Sequence, residues 1–205
     1  MKQEVNPKDT NRAEAFKFWM SSPMPMVTLV KTINVSRLVR LCKRKCMSFN
    51  MMLCWCIGKA ASEVREFYTI PEQGKLYNYD SLAINVIVNN AKGGINSCDI
   101  PFCNDIRQFS EEYLRQTRLV AASCQSSFVE DRMVIGTSAM IQTELDCIVN
   151  QYTDKFCNPM LMWGKLRNSW FKITLPISFQ FHHVQMDGGH GAMFLEKLQQ
   201  TINSL

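Results

Sequence analysis

The chain has 205 residues, 46% of them hydrophobic and 20% charged, with a net charge of +5. That length suits one domain, residues 1–205, with a real core, and the composition excludes a disordered chain. The mild basicity permits an anionic partner without demanding one. The longest apolar run, Met51 to Ile57, is too short to span a bilayer, so no membrane partner is expected.

Nine cysteines include no CxxC spacing, and their number is odd. Disulfide frameworks belong to short secreted chains. The opening MKQEVNPKDTNR is polar and does not read as a secretory leader. A cytoplasmic protein with reduced thiols is expected.

In chain order, Asn11 is placed to cap a helix that begins RAEAFKFWM and is ended by Pro23 and Pro25. Met26 to Val35 is rich in β-branched residues and predicts a strand. Ser36 opens a basic helix to about Lys45. Ser48 opens another, with Phe49, Leu53, Ile57, Ala60 and Val64 on one face. Leu82 to Asn89 predicts a strand, Asp105 to about Ala122 a helix, and Met133 to Met140 a further strand. Pro159 to Leu166 and Phe171 to His183 read as a strand pair joined by RNSW. In the second, Ile173, Leu175, Ile177, Phe179, Phe181 and His183 share one parity, hence one face. A last helix carries Ala192, Leu195, Leu198 and Ile202 as its buried stripe. This irregular alternation points to an α/β sandwich of helices on a large mixed sheet.

All three histidines, His182, His183 and His190, fall in the stretch FHHVQMDGGHG, Phe181 to Gly191. His183 closes an apolar strand face. Partial desolvation there disfavours the charged imidazole, and a neutral imidazole near pH 7 suits a general base. Asp187 follows in a tight turn, near a helix N-terminus that favours a carboxylate. His182, His183, Asp187 and His190 are also competent metal ligands, but adjacent histidines on a strand point to opposite faces and share an ion poorly. A general base, a metal site and plain polar residues at an element's end all remain open on these residues alone.

The pattern HHxxxDGxH before an apolar helix resembles the chloramphenicol acetyltransferase family. Its looser core, HxxxDG, is shared with a wider superfamily of CoA-dependent acyltransferases. That superfamily includes the catalytic domains of dihydrolipoyl acyltransferases and the condensation domains of peptide synthetases. Other stretches extend the likeness: RAEAFKFW (Arg12 to Trp19), YDSLAINVIVN, GTSAM around Ser138, and the run from Pro159 through GK to LPIS and then HH. The length matches the small acetyltransferases. Dihydrolipoyl acyltransferases usually carry Asp where His182 stands.

The resemblance implies a two-layer sandwich of helices on a large mixed β-sheet, and transfer of acetyl from acetyl-CoA to a hydroxyl of chloramphenicol or a similar small acceptor. His183 would be the general base. Ser138 would donate a hydrogen bond to the tetrahedral oxyanion, where a preorganised donor counts most. Asp187 would pair with Arg12 as structural support. Phe18 and Trp19 would line the acceptor pocket, and Lys165 would lie by the CoA channel. The family works as a homotrimer with sites between subunits, without a metal.

Some positions depart from the family pattern. Ile141 and Gln142 replace its Pro-Trp, Met162 replaces a threonine that assists the transition state, and Cys147 and Ile148 stand where aromatic character is expected. A different acceptor, or a weakly active ligand-binding relative, is the alternative these changes raise. The basic run Arg37, Arg40, Lys43, Arg44 and Lys45 reads as a solvated helix face that could also attract CoA phosphates. With no recognised module and little excess charge, nucleic acid is not expected as a partner.

Overall fold

A computed structural model describes residues 1–153 and 155–205. In chain order the elements are β1 (Lys2–Val5), α1 (Ala13–Trp19), β2 (Met26–Asn34), α2 (Ser36–Lys45), α3 (Phe49–Ser62), β3 (Thr69–Glu72), β4 (Lys75–Tyr79) and β5 (Leu82–Asn89). There follow β6 (Ile95–Pro101), α4 (Ile106–Ser123), β7 (Met133–Ala139), β8 (Met160–Trp163), β9 (Arg167–Asn168), β10 (Ile173–His182) and α5 (Gly188–Ser204). The large sheet runs β2-β10-β8-β7-β5-β6, with β9 paired to β10. It is mixed: β7 lies parallel to β5 and β8, and the other pairs are antiparallel. The expected two-layer sandwich is the observed architecture. A second sheet, β1-β4-β3, was not expected.

Alternate residues of each long strand enter one core. Ile33, Leu175, Ile177, Phe179, Phe181, Leu161, Ile135, Ile84 and Ile100 meet the buried sides of α2, α3, α4 and α5 there. The helix starts follow capping chemistry. Ser48 Oγ accepts from Met51 N–H and Asp105 Oδ1 from the N–H groups of Arg107 and Gln108, satisfying orphan donors. α5 is held down by aromatic packing: Phe194 lies 4.7 Å from Phe179 and 4.8 Å from Phe67 between ring centroids. A Cβ at Gly191 would sit 2.7 Å from Phe181 and 2.8 Å from Leu29, so glycine sets how closely α5 approaches the sheet.

The opposite face of the sheet is polar. Successive register pairs place Thr28, Gln180, Met160, Gly136, Asn85 and Asp99 in one straight row across it. Val30, Ser178, Met162 and Ser138 form the next row. The segment after β7 lies over these rows: Ile148 N–H donates to Ser178 Oγ, and Gln180 Nε2 to the Asn150 carbonyl.

Several expectations are corrected. Asn11 does not cap α1. Arg12 takes the N-cap position without capping through its side chain, which reaches the loop after β10, and its N–H donates to Thr10 Oγ1. α3 ends at Ser62, so Val64 is buried from the following turn, not from the helix. The strand expected over Pro159 to Leu166 is only Met160–Trp163, and the tight turn falls at residues 169–172, between β9 and β10. β10 starts at Ile173 and stops at His182, so His183 does not continue the Phe181 face.

His182 is buried at the end of β10, and its Nδ1 accepts from Val184 N–H at 3.1 Å. Burial, and then the nearby His183, lower its pKa to about 4. The unfolded chain takes up this proton near pH 6.5, the folded chain only near pH 4. Falling pH therefore drains stability across that window.

Gly191→Ala should destabilise the fold by about 1–3 kcal/mol of overpacking, read as a lower denaturant midpoint, and a wild-type midpoint would show that Phe181 yields freely. His182→Asn, which keeps an acceptor for Val184 N–H, should flatten the pH dependence of unfolding between pH 6.5 and 4. An unchanged slope would assign it to other groups.

Candidate active site

The residues of the histidine stretch are organised by Arg12. Its guanidinium is buried and makes four hydrogen bonds to the loop after β10. Nη1 and Nη2 donate to the two oxygens of Asp187, each at 2.8 Å. Nη2 also donates to the His183 carbonyl at 2.7 Å, and Nε to the Val184 carbonyl at 2.8 Å. The planar fork of arginine fits this bidentate arrangement as no lysine could. The Arg12 guanidinium holds the Asp187 carboxyl below the usual carboxylate range, against the opposing effect of burial. The loop turns into α5 with Asp187 at its N-cap, and Asp187 N–H donates to His190 Nδ1 at 3.1 Å. His190 Nε2 lies 3.4 Å from Glu66 Oε1.

His183 sits inside this frame. Its N–H donates to the Pro25 carbonyl at 2.8 Å. Its ring stacks on Trp19, centroids 4.4 Å apart and planes 6° from parallel. Nδ1 is turned inward, 3.3 Å from Asp187 Oδ1 but without hydrogen-bond geometry. Backbone and ring are therefore both held, while Nε2 has no hydrogen-bond partner among the described residues. The arrangement can present one imidazole nitrogen, at a fixed angle, to an incoming proton donor.

His183 and His190 both lie against Asp187, with Nδ1 3.3 Å and 3.8 Å from its oxygens. The Nδ1 atoms of His182 and His190 are occupied as acceptors. Among the described residues no group of three His, Cys, Asp or Glu side chains is placed to hold a metal ion.

The other expected residues divide by place. Ser138 lies in β7, directly opposite Met162 of β8, which is itself opposite Ser178 of β10. Its hydroxyl is half-buried and has no hydrogen-bond partner among the described residues. His183 is two strands over and just past the end of β10, five residues beyond Ser178, roughly 19 Å away by ordinary strand dimensions. One chain therefore does not bring the two groups to a single reacting atom. Lys165 is exposed just beyond β8, at the Ser138 end. Phe18 is 68% exposed and outside the core, whereas Trp19 is in direct contact with His183. Ile141, Gln142 and Cys147 are exposed, and Met162 is buried beside Ser138.

Sequence reasoning missed three contributors. Pro25 is read there only as a helix stop, yet its carbonyl anchors His183. Glu66, in a short turn of helix, has no sequence pattern tying it to His190. Gln185, in the middle of the clamped loop, is fully buried with both amide atoms unpartnered by protein groups.

Comparison with known proteins identifies the family and the fold. The family model described as chloramphenicol acetyltransferase matches residues 3–199. Chloramphenicol acetyltransferase 3 of Escherichia coli is 24% identical over 203 residues, covering 96% of this chain and 95% of the relative. A chloramphenicol acetyltransferase of Clostridium perfringens is also 24% identical, covering 98% and 94%. A solved chloramphenicol acetyltransferase superposes with a TM-score of 0.80 at 20% identity, over 98% of this chain and 100% of that one. The truncated catalytic core of a 2-oxoacid dehydrogenase complex from Thermoplasma acidophilum gives 0.68 at 14% identity, over 98% of each chain. The sandwich is thus the fold of the CoA-dependent acyltransferases, and the chain is an acyltransferase that belongs to the chloramphenicol acetyltransferase family.

Proposed function

We propose that the protein transfers the acetyl group of acetyl-CoA to a hydroxyl of a small molecule, chloramphenicol or an acceptor of similar size, in a ternary complex. His183 Nε2 takes the proton of the acceptor hydroxyl as its oxygen attacks the thioester carbonyl. The tetrahedral oxyanion accepts a hydrogen bond from Ser138 Oγ. The carbon–sulfur bond then breaks, the proton passes from Nε2 to the leaving sulfur, and CoA departs as the free thiol. No acyl-enzyme is needed, because the acceptor itself attacks.

The observation that carries this reading is the held ring of His183, stacked on Trp19, with Nδ1 turned inward beside Asp187 without a hydrogen bond and Nε2 left open to an acceptor. A base fixed by its backbone, by Trp19 and by the Arg12–Asp187 pair loses little entropy on reaching the transition state. The distance between His183 and Ser138 favours a site shared by two subunits, His183 supplied by one and Ser138 by its neighbour, and the resemblance to the family supplies the homotrimer. Lys165, at the Ser138 end, would then meet the phosphates of CoA. Trp19 would border the acceptor beside the base, with Phe18 at the pocket's outer edge. Met162, opposite Ser138, offers no hydroxyl to the transition state, so a rate below that of an enzyme with a threonine there is expected.

Thiol release from acetyl-CoA with a panel of acceptors that includes chloramphenicol tests the reading. His183→Ala should lower kcat by at least about 1,000-fold, and Ser138→Ala by about 100-fold. Turnover that survives His183→Ala would remove the base from this account. Acetyl-CoA binding without thiol release from any acceptor would favour a ligand-binding relative.

A further inference from the structure

The polar face of the sheet holds a cavity of about 650 Å³, within the range of small-molecule sites. Its floor includes Asp99, Asn85, Gly136, Met160 and Gln180, the straight row next to the Ser138 row. Gly136 leaves the middle of that floor without a side chain. Asp99 is only 3% exposed. Its two oxygens accept from Asn85 Nδ2 at 2.7 Å and from Val129 N–H at 3.0 Å. Both donors are neutral, and no cationic group among the described residues lies within ion-pair distance of Asp99.

The other charges lining the cavity do not supply the missing cation. Lys2 is already paired with Glu72, and Glu130 and Arg132 offset each other in charge. A buried carboxylate is ordinarily paired with a cation. Here it opens onto a cavity one residue pair along the sheet from the serine assigned to the oxyanion.

We infer that the cavity is the acceptor pocket and that it selects a cationic acceptor, whose ammonium sits on Asp99 while its nucleophilic hydroxyl or amine reaches the Ser138 end. This rests on the acyltransfer reading above. Asp99 is two strands and one residue pair from Ser138, roughly 12 Å by ordinary strand dimensions. The acceptor therefore carries its charge roughly 10 Å from its nucleophile, as in a polyamine, an amino sugar or a long amino alcohol.

Terminal aminoheptanol and octanol, which differ by an ammonium against a methyl, test this. In thiol-release assays the wild type should favour aminoheptanol by about tenfold or more in kcat/KM, and Asp99→Asn should bring the ratio close to one. Equal rates, or a preference for octanol, with the wild type would overturn the inference while leaving acyl transfer intact. This comparison does not depend on the variant folding. Titration of aminoheptanol into the protein alone separates the two claims: Asp99-dependent binding without thiol release from any acceptor would keep the pocket and sink the reaction. Binding indifferent to Asp99 would overturn the pocket.

Discussion

The ion pair between Arg12 and Asp187 joins two ends of the chain 175 residues apart in sequence, and the geometry of the histidine loop depends on it. The same guanidinium that grips the carboxylate also holds the carbonyls of His183 and Val184. A charge that is buried must be paired and hydrogen-bonded, or it costs several kcal/mol. Here every donor of the fork used in the loop meets an oxygen that the loop's own turn has turned inward. The loop has little freedom to relax without leaving Arg12 unpaired, so His183 inherits its position from a cation it touches only through its backbone.

Around that clamp the rest of the site is packing. The stacking of Trp19 on His183 fixes the ring plane, and Pro25 fixes the backbone before it turns. Phe179, Phe181 and Phe194 lock α5 against the sheet, which sets where Asp187 lies at the N-terminus of that helix. Ser138 belongs to a different part of the same sheet. Strand register, a property of the whole fold, holds it away from the base of its own chain.

Much of this was legible in the sequence where one physical signal dominated. The β-branched runs of β2 and β5 and the capped starts of α3 and α4 follow directly from the residues, and the HHxxxDGxH pattern locates the loop. β1, β3, β4 and β6 were not legible, because stretches such as KQEV and INSCDIP carry neither alternation nor strong β propensity and are strands only through their partners. The role of Arg12 was reached through resemblance alone, since an arginine at a helix start has no local reason to be buried. The parity of Ile173 to Phe181 is legible, but it stops short of His183 because β10 ends at His182. Asp99 carries no sign in the sequence, because its meaning comes from β6 lying beside β5, a pairing no short pattern announces.

The most direct test of the central claim, that base and serine act together only across a subunit boundary, is complementation between two inactive variants. His183→Ala and Ser138→Ala subunits would be co-expressed, the mixed assemblies isolated, and thiol release from acetyl-CoA measured. If each site takes His183 from one chain and Ser138 from its neighbour, mixed assemblies contain intact sites and recover a substantial fraction of wild-type turnover that neither variant shows alone. If mixed assemblies stay as inactive as the parents, base and serine do not act across a subunit boundary, and the division of the site read from the strand register is wrong.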